Sequence, residues 1–384
     1  IAASDTIVWV ATSNGPSKYD FANSYWVRNR NGLDTHLNDS WPIYVTEDGV
    51  PWLATKLGAA ELVDSAWVFY KASGPAGNYV EDIAVDWEGR VWCATGTRGG
   101  VSGDAIRGIL RYDGVEWEQI KTPTITDNNV YCVETSPVDG TVWVGMWSIG
   151  NGDLMKYEAQ ADRWTSFQSS LVSRVISDIY IDSNGNVVFG EYLHGLAVMC
   201  GDDGIVRYVK GEEPECITTE CVTAIGPGPE GTIMVGDFML CEGEVYQLDL
   251  GTTCSDKDDD ICNQWSSRDG YVRGTVNSIA IDSSGVVWLA TSGGLSAYDG
   301  SWHAVHTTMG TVWDIAVDRW GTKWVATDLG LWSLPGFGLE WDDFADSYTL
   351  YDSSNSPLPE APIKALAIDA DGALWIGTGG GGIY

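Results

Sequence analysis

Short apolar runs separated by glycine-bearing turns recur along the whole chain. The stretch from Ser278 to Trp302 reads SIAIDSSGVVWLATSGGLSAYDGSW. Small or polar residues alternate with apolar ones over Ser278–Ile281, and Asp282 to Gly285 make a tight turn. Val286–Thr291 is rich in β-branched and aromatic residues, as strands are. Gly293 and Gly294 break that run, Leu295–Tyr298 begins another, and Asp299-Gly300 is a hairpin turn before Trp302–Val305. The pattern predicts four short antiparallel strands forming one small sheet. Such a sheet cannot bury both faces alone and needs copies of itself on either side.

The copies are present. The second-strand motif returns as VWVAT (8–12), PWLAT (51–55), VWCAT (91–95), VWVGM (142–146), VVFGE (187–191), IMVGD (233–237), VWLAT (287–291), KWVAT (323–327) and LWIGT (374–378). In the fifth and sixth of these Phe189 and Met234 are read as standing in for Trp. The preceding turn returns as DWEG (86–89), DSNG (182–185), DRWG (318–321) and DADG (369–372). The aromatic positions lie 36 to 54 residues apart, around the ~40–50 residues of a propeller blade.

These motifs resemble the two-component regulator propeller repeat, roughly I-A-x-D-x-x-G-x-x-W-x-A/G-T-x-x-G-L. The resemblance implies a β-propeller, and propellers of this family often form the periplasmic, ligand-sensing part of membrane-bound sensor kinases. The fold expectation is all-β: one propeller over residues 1–384, built of four-stranded antiparallel blades, eight or nine in number with seven as the alternative. Its units fall near 1–28, 41–71, 80–121, 130–168, 176–210, 221–266, 276–307, 312–351 and 363–384. Both terminal units contain the VWVAT-type strand, so they overlap rather than complement each other. An unfinished strand edge there is a candidate for pairing with another chain.

Composition narrows the function. Tryptophan is unusually frequent, 20 against 7 phenylalanines, and most of it belongs to the repeat. A net charge of −33 argues against nucleic acid or an anionic membrane surface as partner. There is no apolar run long enough to cross a membrane, and Ile1 is not an initiator methionine, which fits a leader already removed. The eight cysteines point to an oxidising compartment: secreted, periplasmic or cell-surface. Cys254 with Cys262, and Cys216 with Cys221, would close loops. Cys200 with Cys241, and Cys93 with Cys132, are candidate bridges between blades, with free buried thiols as the alternative.

Two sites stand out. Loops 96–108 and 146–153 follow second strands in successive blades and should emerge on the face where the innermost strands begin. Arg98, Arg107, Trp147, Arg174, Tyr192, His194 and Trp313 would gather around that mouth, where aromatic stacking beside arginine suits an acidic glycan. The second site is TTCSDKDDDIC (252–262). Asp256, Asp258 and Asp260 have the alternating spacing of calcium loops, although the glycine and the twelfth-position glutamate of an EF-hand are missing. The DxxG turns read as turn chemistry.

Catalytic motifs are lacking. None of the four histidines, His36, His194, His303 and His306, sits in a zinc or nucleophile motif. The leading expectation is a non-catalytic extracytoplasmic propeller that senses or recognises a small-molecule or glycan ligand. The alternative is a structural protein of the cell exterior that binds copies of itself. Third is a propeller lyase or glycosidase, with His194 and Tyr192 as its candidate pair.

Overall fold

The computed structural model describes the eight strands of residues 2–70. From residue 80 onward it describes all but 96–107, 121–128, 147–151, 174, 202–203, 211–216, 218, 239–243, 252–253, 255–256, 337–347 and 360–361. The chain divides into two compact units, 1–76 and 77–384. The first holds two four-stranded antiparallel sheets, spanning 2–28 and 43–70, whose first strands, Ala2–Ser4 and Ile43–Val45, pack side by side.

The second unit is a propeller. Six four-stranded sheets follow in chain order, spanning 80–120, 130–166, 176–208, 222–265, 276–306 and 312–351. They are numbered here as the first to sixth blades. A two-stranded sheet, Ile363–Ile368 with Leu374–Thr378, comes last. Its inner strand packs on the innermost strand of the sixth blade and, on its other side, on Val80–Val85 of the first. The circle therefore closes within 77–384. This corrects the expected single ring of eight or nine blades, and the seven-bladed alternative: the propeller has six complete blades, joined by a two-stranded sheet. Closure is apolar, with Val80, Ile83 and Leu110 clustered against Ala365. A Cβ on Gly377 would lie 2.9 Å from Val80, so glycine is what lets the last strand approach.

Each pair of neighbouring sheets shares its own apolar cluster, as expected when a sheet must bury two faces. Trp92 of the first blade packs on Val133 and Val144 of the second, and Trp288 of the fifth on Val312 and Val325 of the sixth. Both indoles are fully buried.

The repeat motif is a hydrogen-bond device. One oxygen of Asp282 accepts from the amides of Ser284 and Val286, at 2.9 and 3.2 Å, while the other accepts the Trp288 indole N–H at 3.1 Å. Asp86 holds Trp92, Asp318 holds Trp324 and Asp369 holds Trp375 in the same way, at 2.8, 3.1 and 3.0 Å. Gly285 has φ +86°, which only glycine adopts readily. At the far end of the second strand, the hydroxyls of Thr291, Thr327 and Thr378 donate to the carbonyls of Gly294, Gly330 and Gly382, each at 2.8 Å.

The register corrects one alignment. In the third blade the residue six after the turn aspartate is Val188, which pairs with Tyr180 as Trp288 pairs with Ala280. Phe189 instead stands where Leu289 does, so the tryptophan position is occupied by valine. With no indole to accept from, Asp182 takes the Asn186 side-chain amide at 2.8 Å.

Candidate functional site

The innermost strands line the axis of the ring. Three carry aspartate at their third residue: Asp82, Asp178 and Asp314. Each reaches into the next sheet, where Cys132, Ala224 and Ala365 leave room for it. There it accepts a backbone N–H: Val133 on Asp82 at 2.8 Å, Ile225 on Asp178 at 2.6 Å and Leu366 on Asp314 at 2.6 Å. The second oxygen accepts the following amide of its own strand. The fourth and fifth blades make the stitch with neutral groups. The Thr223 hydroxyl donates to the Val276 carbonyl at 2.6 Å, and the Asn277 amide to that of Val312 at 2.7 Å.

These aspartates are half-buried among the packed innermost strands. That setting penalises the charged form. Burial pushes the pKa of Asp178 up to about 8 and that of Asp314 to about 6, and raises that of Asp82 well above the usual range. Glu134, two residues beyond the matching position on the innermost strand of the second blade, is pushed to about 7 by the same cause. Repulsion across the axis adds to the shifts of Asp82 and Asp178. The innermost strands therefore gather acidic groups whose pKa values burial raises above the ordinary carboxylate range.

At the end where the innermost strands begin, Trp313 stands on the sixth blade, partly buried. Its indole N–H donates to Asp328 at 2.6 Å, and the Lys364 ammonium lies over its ring. Tyr192 and His194 belong to the turn after the second strand of the third blade, at the same end of the ring. His194 is exposed, with Nδ1 3.2 Å from the Tyr192 carbonyl oxygen. Of the remaining expected mouth residues, Arg98, Arg107, Trp147 and Arg174 lie outside the described residues. Lys364 and Asp328 were not singled out from the sequence. The signal for Lys364 was a cation inside the apolar run IKALAI, and for the aspartates an acid inside VEDIAV, ISDIYI and VWDIAV.

The cysteines pair differently from the expectation. Cys200 bonds to Cys254, 54 residues away, which overturns both the Cys254–Cys262 loop and the Cys200–Cys241 bridge. Cys221 and Cys262 are also disulfide-bonded, while Cys216 and Cys241 lie outside the described residues. Cys93 and Cys132 are free, buried thiols, with pKa raised by burial, so the bridge between them is corrected. Each lies on its own strand with its Sγ in a different apolar cluster.

The acidic loop is only partly described: Asp256 and the side chain of Asp258 fall outside. Asp260 is held by the Tyr208 hydroxyl at 2.5 Å, and the Lys257 ammonium lies over the Tyr208 ring. Together with the Cys200–Cys254 bond, these contacts tie the loop to the third blade.

Residues 357–380 match the family model described as "Two component regulator propeller". No curated protein matches the chain significantly. Among solved structures, PorZ is similar, a surface component of the type-IX secretion system of Porphyromonas gingivalis. The TM-score is 0.66 at 18% identity, over 100% of this chain and 56% of that one. The extracellular domain of a proposed hybrid two-component system from B. thetaiotaomicron gives 0.61 at 17% identity, over 98% of this chain and 54% of that one. Virginiamycin B lyase from Staphylococcus aureus gives 0.60 at 12% identity, over 80% of this chain and 94% of that one. At these identities the likeness shows the fold, and the chain spans about half the length of the first two. Among the described residues no helix is long and apolar enough to cross a membrane. The segment that matches the two-component regulator propeller repeat, 357–380, holds the Asp369–Trp375 and Thr378–Gly382 hydrogen-bond partners but for Gly382.

Proposed function

We propose that this chain is a non-catalytic extracytoplasmic propeller that recognises a small ligand, of the glycan class, at the mouth of its ring. The observation that carries the reading is the set of Trp313, Lys364 and Asp328. It offers an aromatic ring, a cation and an acceptor within one side chain's reach, the combination that orients a polar ring in a concave site. The Cys200–Cys254 bond supports an oxidising compartment. Two of the similar structures are themselves from the bacterial surface or exterior, which agrees with that placement.

Titration calorimetry against a panel of neutral and acidic oligosaccharides tests this. Saturable binding that weakens at least ~10-fold in Trp313→Ala, about 1.4 kcal/mol, is the expected result. Turnover of a panel member that is lost in His194→Ala would replace recognition by the lyase reading. Absence of binding across the panel would remove the glycan class.

A further inference from the structure

On the end of the ring opposite that mouth, three of the turns joining first and second strands lie under a side chain of the preceding sheet. Trp87 of the first blade lies flat over Gly140 of the second, where an added Cβ would come within 3.0 Å of the indole. Trp320 of the sixth blade covers Gly372 of the two-stranded sheet, at 3.5 Å by the same measure. Between the second and third blades the overhanging residue is Val138, set over Gly185 at 3.7 Å. A valine covers far less than an indole. Beneath it a cavity of about 390 Å³ opens between the two blades, within the range of small-ligand sites.

This is also where the second blade departs from the repeat. Its turn reads SPVDGT, with Ser136 in place of aspartate. The Trp143 indole N–H therefore donates to the Thr141 hydroxyl, at 3.2 Å, instead of to a carboxylate. Trp143 stacks on Phe167 with centroids 5.2 Å apart, and with Met199 they make an apolar floor. The rim is polar and of both signs. Lys156 lies over the Trp143 ring, with Asp139 at 3.7 Å and Glu158 at 3.8 Å, beyond hydrogen-bond reach. The exposed Asn184 stands on the opposite wall.

We propose that this cleft is a second binding site, separate from the mouth of the ring, for a small neutral polyhydroxylated ring such as a pyranose. The charges choose the class. An anionic guest would meet Asp139, and a cationic one would displace Lys156. Hydroxyls both donate and accept, so they satisfy the lysine and asparagine N–H groups and the Asp139 oxygens at once, while the C–H face of the ring lies on the apolar floor.

The test uses the full chain and a panel of methyl pyranosides of glucose, galactose, mannose and N-acetylglucosamine, followed by saturation-transfer NMR and calorimetry. At least one should bind the wild type, bind Trp313→Ala equally, and lose at least ~10-fold in Val138→Trp, which places the indole of the first blade over the cleft. Asn184→Ala, on an exposed turn, should weaken the same sugar several-fold without lowering Tm, and covers the case in which Val138→Trp fails to fold. Binding unchanged in either folded variant, binding lost in Trp313→Ala instead, or no binding by the panel would overturn the proposal.

Discussion

In the fifth blade, Asp282 holds the buried Trp288, and Thr291 closes the turn to the third strand. In the third blade the same backbone positions carry Val188 and Glu191. The buried Glu191 accepts from the amides of Val172 and Ser173 at 2.6 and 3.2 Å and pairs with Arg207 at 2.6 Å. It thereby anchors the segment that enters its own blade. Arg207 in turn donates to the Ser170 carbonyl at 2.7 Å. The two blades have the same strand order, so the sheet does not depend on the Asp–Trp pair as such. What it requires is that every buried polar group at the second strand find a partner and that the wedge between blades be filled. One blade does this with contacts between near neighbours in sequence, the other with an ion pair between a buried glutamate and a partly buried arginine.

The largest effect should come from removing the ionic solution. Glu191→Ala leaves two backbone amides and the partly buried Arg207 without their acceptor, at ~1–3 kcal/mol for each group left unsatisfied. Chemical denaturation would show this as a lowered midpoint. A loss below about 1 kcal/mol would mean that the pair is not what orders the 170–173 segment. Trp288→Phe keeps most of the apolar volume and removes only the indole N–H from Asp282. A cost of ~1–3 kcal/mol is expected for the carboxylate oxygen that loses its indole donor, smaller than that of Glu191→Ala.

The smallest change is best read as a slope. The third blade has Asp178 where the fifth has Ser278 at the axis. A carboxyl whose folded pKa is raised, here to about 8 for Asp178, binds more protons folded than unfolded between pH ~4 and that value. Stability therefore falls as pH rises through this window. Asp178→Asn keeps an acceptor for the Ile225 amide and removes the titration. The fall in thermal stability between pH 5 and pH 8 should become shallower, and an unchanged slope would shift the burden to Asp82, Asp314 and Glu134.

The contrast between blades also explains what could be read in advance. The Asp–Gly turn, the tryptophan six residues later and the Thr–Gly turn are contacts between near neighbours in the chain, so their spacing survives in the sequence. Where Trp was absent, the motif lost its anchor, and Phe189 was taken for the residue that Val188 replaces. The disulfide from Cys200 to Cys254 joins two blades across 54 residues, and nearness in sequence favoured the wrong partner, Cys262. The aspartates at the axis were visible as acids within apolar strands. Their role was not, because each bonds a backbone amide about fifty residues away, on the next sheet.

The sequence by itself determined the unit: four short strands and the turns between them, because these are set by local turn chemistry and by period-two alternation. Only the tertiary structure decided how many units share a ring and which residues face its axis. Closure depends on whether Val80 and Ile83 can pack on Ala365 and Gly377, a fit between surfaces almost three hundred residues apart. A repeat whose neighbours all look alike carries no mark of which copy is the last.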